Sequence, residues 1–218
     1  GGGFLHLVYQ LFLQQSYRHG DLTHVYPLAR GTAPLLTAAL SVLWLGEQLS
    51  GPAWAGILII AIGLMSLVSV RRADGIWDGR SAATALATGC FTAAYSLADG
   101  AGARIGGTAL GFYAMLSLIN AAAMAGLMAW RRPGLVADVV RSGWRTALPA
   151  GGASFTAFAL VVWGFTQAPI ALVAALRETS VIFALLIGVL VLGERLNLLK
   201  LFAATVTTSG ALLVKLSR

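Results

Sequence analysis

Leu45-Gly46-Glu47-Gln48-Leu49 and Leu192-Gly193-Glu194-Arg195-Leu196 are one helix corner written twice, 147 positions apart. The same shift extends the match without a gap. Arg30 falls on Arg177, Thr32 on Thr179, Val42 on Val189, Leu43 on Leu190, Gly63 on Gly210 and Arg71 on Arg218, so ten identities link 26–71 with 173–218. Leucine and valine matches come cheaply among apolar helices. Two arginines inside apolar runs and two Gly-Glu ends do not. A repeat of this kind sets the architecture before any single helix is considered.

The runs between these corners are apolar. The 218 residues are 58% hydrophobic and 11% charged, against roughly 25% charged in a soluble domain. Too little polar surface exists to cover a water-facing globule, so the excess apolar surface faces a lipid bilayer. Eight stretches are long enough to cross it as helices: 3–18, 23–45, 52–70, 81–98, 108–130, 146–166, 170–192 and 198–215. No alternating segments of barrel length occur. The expected fold is therefore all-α, a polytopic transmembrane helix bundle. Its 26 glycines serve close helix contact, as in Ala85–Cys90 and Ala150–Ser154. The Gly-rich string 100–107 reads as a turn, and Arg131 to Arg145 as a loop.

Five spans, the third to the seventh, separate Glu47 from Glu194. Five is odd, so the two corners face opposite sides and the repeats are inverted, as in many secondary transporters. The first repeat is 1–72 and the second 73–218. The second holds five spans and the first three. The chain opens Gly1-Gly2-Gly3 without an initiating Met, and a complete inverted pair calls for two further spans, about 60–80 residues, upstream.

The formal net charge of +7 sits in short clusters between spans, as at Arg71-Arg72 and Arg131-Arg132. No aromatic–basic interleaving accompanies it, so nucleic acid is not an expected partner. One side collects Arg18, Arg71, Arg72, Arg80, Arg131, Arg132, Arg141, Arg145, Arg195 and Lys200; the other holds Arg104, Lys215 and Arg218. The charge rule puts the first side in the cytoplasm and the C-terminus outside.

The string Val25-Tyr26-Pro27-Leu28-Ala29-Arg30-Gly31-Thr32-Ala33-Pro34, followed by an apolar run and Leu45-Gly46-Glu47, resembles the EamA-like branch of the drug/metabolite transporter superfamily. So does its partner from Arg177 to Glu194. The resemblance covers nearly the whole chain, as eight helices of a ten-helix fold with the first two lacking. It implies a central substrate cavity between two halves, alternating access, and export of metabolites or amino-acid-like solutes. It implies a multi-pass protein of the cell inner membrane. It also implies a cytoplasmic C-terminus, opposite to the charge rule.

An arginine at the centre of a span costs about 2.5–3.5 kcal/mol on insertion scales and faces the bundle interior or a wet cavity. Arg30 and Arg177 are candidates for binding an anionic, carboxylate-bearing solute, because the guanidinium offers a planar fork of donors. The blander reading is a structural pairing with a buried carboxylate; a third is snorkelling to the interface. Glu178 follows Arg177, but adjacent helix positions point about 100° apart and do not face each other. It is a candidate for proton coupling, since burial disfavours a charged carboxylate, or for pairing with an Arg or Lys on another helix. Pro27 and Pro34 should break the ladder of the second span, whereas Pro149 and Pro169 lie near span starts, where proline is tolerated.

Tyr9, Tyr26, Tyr95 and Trp163 complete the candidate substrate-binding set, with Tyr113, Asn120 and Gln167 as further cavity candidates. Trp44, Trp54, Trp77, Trp130 and Trp144 fit interfacial anchoring better. Glu47 and Glu194 read as structural, accepting hydrogen bonds from the backbone donors that open the next helix. Asp99 should end the fourth span at a wet boundary. Cys90 reads as a small hydrophobe rather than a reactive thiol. His6, His19 and His24 lack metal-ligand spacing, and no nucleophile elbow or P-loop occurs, so neither a cofactor, a metal nor a catalytic group is expected. The alternative functions are a non-transporting helper and a membrane-bound enzyme.

Overall fold

In hydrocarbon every backbone polar group must be satisfied internally, and a helix does this within one segment. The structure is a computed structural model that describes residues 2–19, 22–67, 79–191, 193 and 198–217, with side chains described outside 14–27, 79–81 and 188. It is helical, with no strand among the described residues. The helices are α1 (Gly2–His19), α2 (Leu22–Leu45), α3 (Gly51–Ser66), α4 (Gly79–Ile105), α5 (Ala109–Arg131), α6 (Leu135–Asp138), α7 (Trp144–Gln167), α8 (Ile170–Arg177), α9 (Ser180–Leu190) and α10 (Leu198–Leu216). Five segments are long and apolar enough to cross a membrane: Leu28–Leu45, Ala109–Arg131, Leu135–Gln167, Ile170–Ile187 and Leu198–Leu216. Helix starts carry their own signals. Ser50 caps α3, its hydroxyl accepting from the Ala53 amide, with Pro52 in the first turn. Thr108 caps α5 through the Gly111 amide.

Five sequence expectations change. The fourth span does not stop at residue 98; α4 continues to Ile105. Of the glycines that read as a turn, Gly106 and Gly107 do turn the chain between α4 and α5, but Gly100 and Gly102 form a contact face, where a Cβ at Gly100 would collide with Ile170 and one at Gly102 with Phe112. The expected loop from Arg131 to Arg145 contains α6 and a π-helical turn, Val139–Gly143, that runs into α7. Pro149 consequently lies inside α7 rather than at its start. α2 passes Pro27 and Pro34 as one helix. The break falls instead in the seventh span, between α8 and α9, where there is no proline.

The most extensive helix contact joins α3 to α10. A Cβ at Gly56 would lie 2.8 Å from the Gly210 carbonyl oxygen, and one at Gly210 would lie 2.7 Å from that of Gly56. A Cβ at Gly63 would lie 2.7 Å from Thr207 Oγ1 and 3.2 Å from the Ala203 oxygen. Early residues of α3 thus meet late residues of α10, and the two helices are antiparallel. Moving by 147 positions turns Gly56 into Ala203, Ile60 into Thr207 and Gly63 into Gly210. Each contact of the seam therefore maps onto another contact of the same seam. The Gly46 corner precedes α3 and the Gly193 corner precedes α10, so the antiparallel seam puts them at opposite ends. Both glycines adopt the left-handed conformation, with φ of 65° and 66°, where a side chain is strained.

At the Gly46 end, Glu47 ties three helices together. Its Oε1 accepts from Arg104 Nη2 at 2.6 Å and from the Ile170 amide at 2.9 Å. Its Oε2 reaches the Ala171 amide at 3.5 Å. Arg104 also donates to the carbonyls of Phe165 and Ala168. Glu47 caps a helix, but it is α8 and not the following α3, which has Ser50. Glu194, Arg71 and Arg72 lie outside the described residues.

Among the tryptophans, Trp44, Trp130 and Trp144 are exposed on the outer surface, as interfacial anchors would be, whereas Trp54 packs against the core. Trp77 lies outside the described residues. Cys90 is a free cysteine, exposed on the outer surface.

The seam leaves no space for a side chain at its glycines. Gly210→Leu should destabilise the protein by about 1–3 kcal/mol, the usual cost of overpacking. Gly151→Ala, with nothing within 4 Å of the new methyl, should melt like the parent. Thermal unfolding of the purified protein in detergent measures both.

Candidate substrate site

Arg30 lies in the middle of α2, where small neighbours allow close helix approach. A Cβ on Gly31 would strike Met65 of α3, and one on Gly89 of α4 would strike Thr32. Arg177 ends α8. Beyond it the backbone tightens: the amides of Glu178, Thr179, Val181 and Ile182 donate to the carbonyls three residues back, at 2.9–3.1 Å. This is 3₁₀ geometry, which in mid-helix often marks a functional hinge.

The tightened turn explains a contact that ideal helix geometry excludes. Arg177 Nη2 reaches Glu178 Oε1 at 3.4 Å although the two residues are adjacent. Arg30 Nη1 donates to Glu178 Oε2 at 2.9 Å. One carboxylate, 0% exposed, thus binds a guanidinium on each oxygen. The triad thus sets two guanidiniums on one carboxylate. Arg177 Nε is buried with no hydrogen-bond partner among the described residues, so donor capacity remains. Arg30 turns inward to Glu178, which removes the snorkelling reading.

Tyr95 of α4 extends the triad. Its hydroxyl accepts from Arg177 Nη1 at 3.3 Å, and the guanidinium carbon lies 5.9 Å from its ring centroid. Tyr9 and His6 of α1 pack on Tyr95 at centroid distances of 5.2 and 4.4 Å. Phe158 of α7 touches His6, Tyr95 and Tyr113. The result is an aromatic wall contributed by α1, α4, α5 and α7.

The structure therefore brings together Arg30, Arg177, Glu178, Tyr95 and Tyr9, with Tyr113 beside them. Trp163 is not among them. It is 57% exposed because it sits about 140° around α7 from Phe158, at 100° per residue, while Val162 and Phe165 point inward. The side chain of Tyr26 lies outside the described residues. Gln167 is exposed at the end of α7, bonded to Thr166. Asn120 keeps a buried Oδ1 without a partner.

Two residues of this region escaped sequence reasoning as partners. Asp99, expected at a wet boundary, is 0% exposed, and its Oδ2 lies 2.6 Å from His6 Nε2. The signal was present: Asp99 stands four residues after Tyr95, on the same helix face. Ending the span at residue 98 concealed it.

A family model described as "EamA-like transporter family" matches residues 2–69 and 81–216. A solved structure described only as "Crystal structure of protein" superimposes with a TM-score of 0.79 at 22% identity, over 99% of this chain and 74% of that one. At that identity the likeness concerns the fold alone. No curated protein matches the chain.

Removing Glu178 takes away the carboxylate that both guanidiniums bind. Breaking a buried pair costs about 3–5 kcal/mol. Glu178→Ala should therefore lower the unfolding temperature strongly, and Trp163→Ala, on the outer face, should not. Unfolding of Glu178→Ala at the parent temperature would contradict the triad.

Proposed function

The chain belongs to the EamA-like transporter family, and from that premise we propose that it is a secondary transporter of a small organic solute bearing an anionic group. Members of this family are membrane transporters. In our reading the protein works by alternating access between two inverted halves, 1–72 and 73–218, and exports a metabolite or amino-acid-like compound. The carrying observation is the meeting of Arg30 and Arg177 on Glu178 at the helix break. An arginine within a span is costly and faces the bundle interior or a wet cavity, and its planar fork of donors suits a carboxylate.

Two further observations support the reading. Gln10 Oε1, Asp99 Oδ1, Asn120 Oδ1 and Arg177 Nε are buried with no hydrogen-bond partner among the described residues. Native interiors leave few such atoms, and four of them around α1, α4, α5 and α8 suit a path that admits water or solute. The second is the self-mapping α3–α10 seam. Equivalent helices that run antiparallel are what inverted repeats require. The triad draws Arg30 from the first repeat and Glu178 from the second, so the site lies where the two meet. Tyr95, Tyr9 and Tyr113 would then hold the apolar body of the solute by stacking.

The test is the composition of the medium around cells expressing the full-length protein, read by mass spectrometry. At least one anionic solute should accumulate relative to non-expressing cells. Arg177→Ala should abolish the difference, and Arg30→Lys should reduce it several-fold because lysine lacks the fork. An unchanged difference in Arg177→Ala would sink the proposal.

A further inference from the structure

Glu178 was the sequence candidate for carrying a proton, but each of its oxygens faces a guanidinium. A proton there would have to displace one of them. The other carboxylate in this region has no such partner. We propose that the His6–Asp99 pair is a proton-binding site inside the membrane, next to the triad.

The geometry defines where the proton goes. Nε2 of His6 and Oδ2 of Asp99 stand 2.6 Å apart, and two atoms with lone pairs approach that closely only with a hydrogen between them. With the ring neutral, Nε2 donates that hydrogen to the carboxylate, Nδ1 is left with a lone pair, and the pair carries one negative charge. A proton arriving from water binds Nδ1, no covalent bond to carbon changes, and the pair becomes neutral. The reverse step returns that proton to water. A lone charge is strongly disfavoured in apolar surroundings and tolerated when wet. The pair therefore holds its extra proton while enclosed and exchanges it when the bundle opens. Asp99 Oδ1, buried and with no hydrogen-bond partner among the described residues, is the acceptor at which entering water would first bond.

The surroundings contain no other carboxylate at hydrogen-bond distance among the described residues. Tyr95 of α4 and Tyr9 of α1 flank the imidazole. Tyr113 of α5, bonded to Ser117, is within electrostatic range of Asp99. α7 presents Phe158. From α8, Arg177 sits across the Tyr95 ring, with Glu178 and Arg30 of α2 behind it. Tyr95 thus separates the proton site from the solute triad by one ring. The proton site stands on the His6–Asp99 geometry; only its consequence, pH-dependent flux, rests on the transporter reading.

Three histidines make the test tractable: His6, His19 and His24. The full chain is labelled with ¹⁵N-histidine, purified into lipid nanodiscs and followed by NMR as bulk pH is lowered. The signal lost in His6→Gln identifies His6. Its nitrogens should move from the neutral to the doubly protonated pattern in the parent, in Glu178→Gln and in Asp99→Glu, which keeps a carboxylate. In Asp99→Asn they should stay neutral over the same range. A parent His6 that ignores pH, or an Asp99→Asn protein in which His6 titrates as in the parent, overturns the proposal. A titrating His6 in a protein that moves no solute would support the proton site and defeat the transport reading.

Discussion

One buried carboxylate shared by two guanidiniums organises the centre of this bundle. An arginine in hydrocarbon is costly alone, and here two are present with Glu178 between them. The pairing explains why Arg30 and Arg177 can sit within spans at all. A straight α-helix would not let Arg177 and Glu178 share a contact; the 3₁₀ turn at Glu178 brings both side chains to the same side.

Around this centre, two contacts fix how the halves meet. The α3–α10 seam depends on backbone approach at Gly56, Gly63 and Gly210 and resists sliding. Its contacts exchange with one another under the repeat shift. The Glu47–Arg104 contact with the opening of α8 is different in kind, a set of hydrogen bonds at one end of the bundle.

Much of this was legible because the repeat offset is a strict register. It aligned Arg30 with Arg177 and the two Gly-Glu corners without any knowledge of packing, and the low charge content pointed to lipid. What the offset could not give was the bridging role of Glu178. The first repeat has Gly31 at the equivalent position, so nothing duplicated pointed to it. Reading the whole Gly-rich run 100–107 as a turn held for Gly106 and Gly107, but in lipid Gly100 and Gly102 let α4 lie against Ile170 and Phe112, and Asp99 is carried into the interior. The residue type of Trp163 suits a cavity, whereas its angle relative to Val162 and Phe165 places it outward. Pro34 pointed to a break in the second span, where α2 continues as one helix, and the break lies between α8 and α9.

The central claim is that Arg30 of one half and Glu178 of the other are energetically coupled. A double-mutant cycle of Arg30→Met and Glu178→Gln, read by unfolding of the purified protein, measures that coupling directly. The account predicts strong non-additivity, about 1–3 kcal/mol, as for residues in one buried ion network. Effects that add within about 0.5 kcal/mol would mean that the two side chains do not hold each other, and the triad could not be the centre of the molecule.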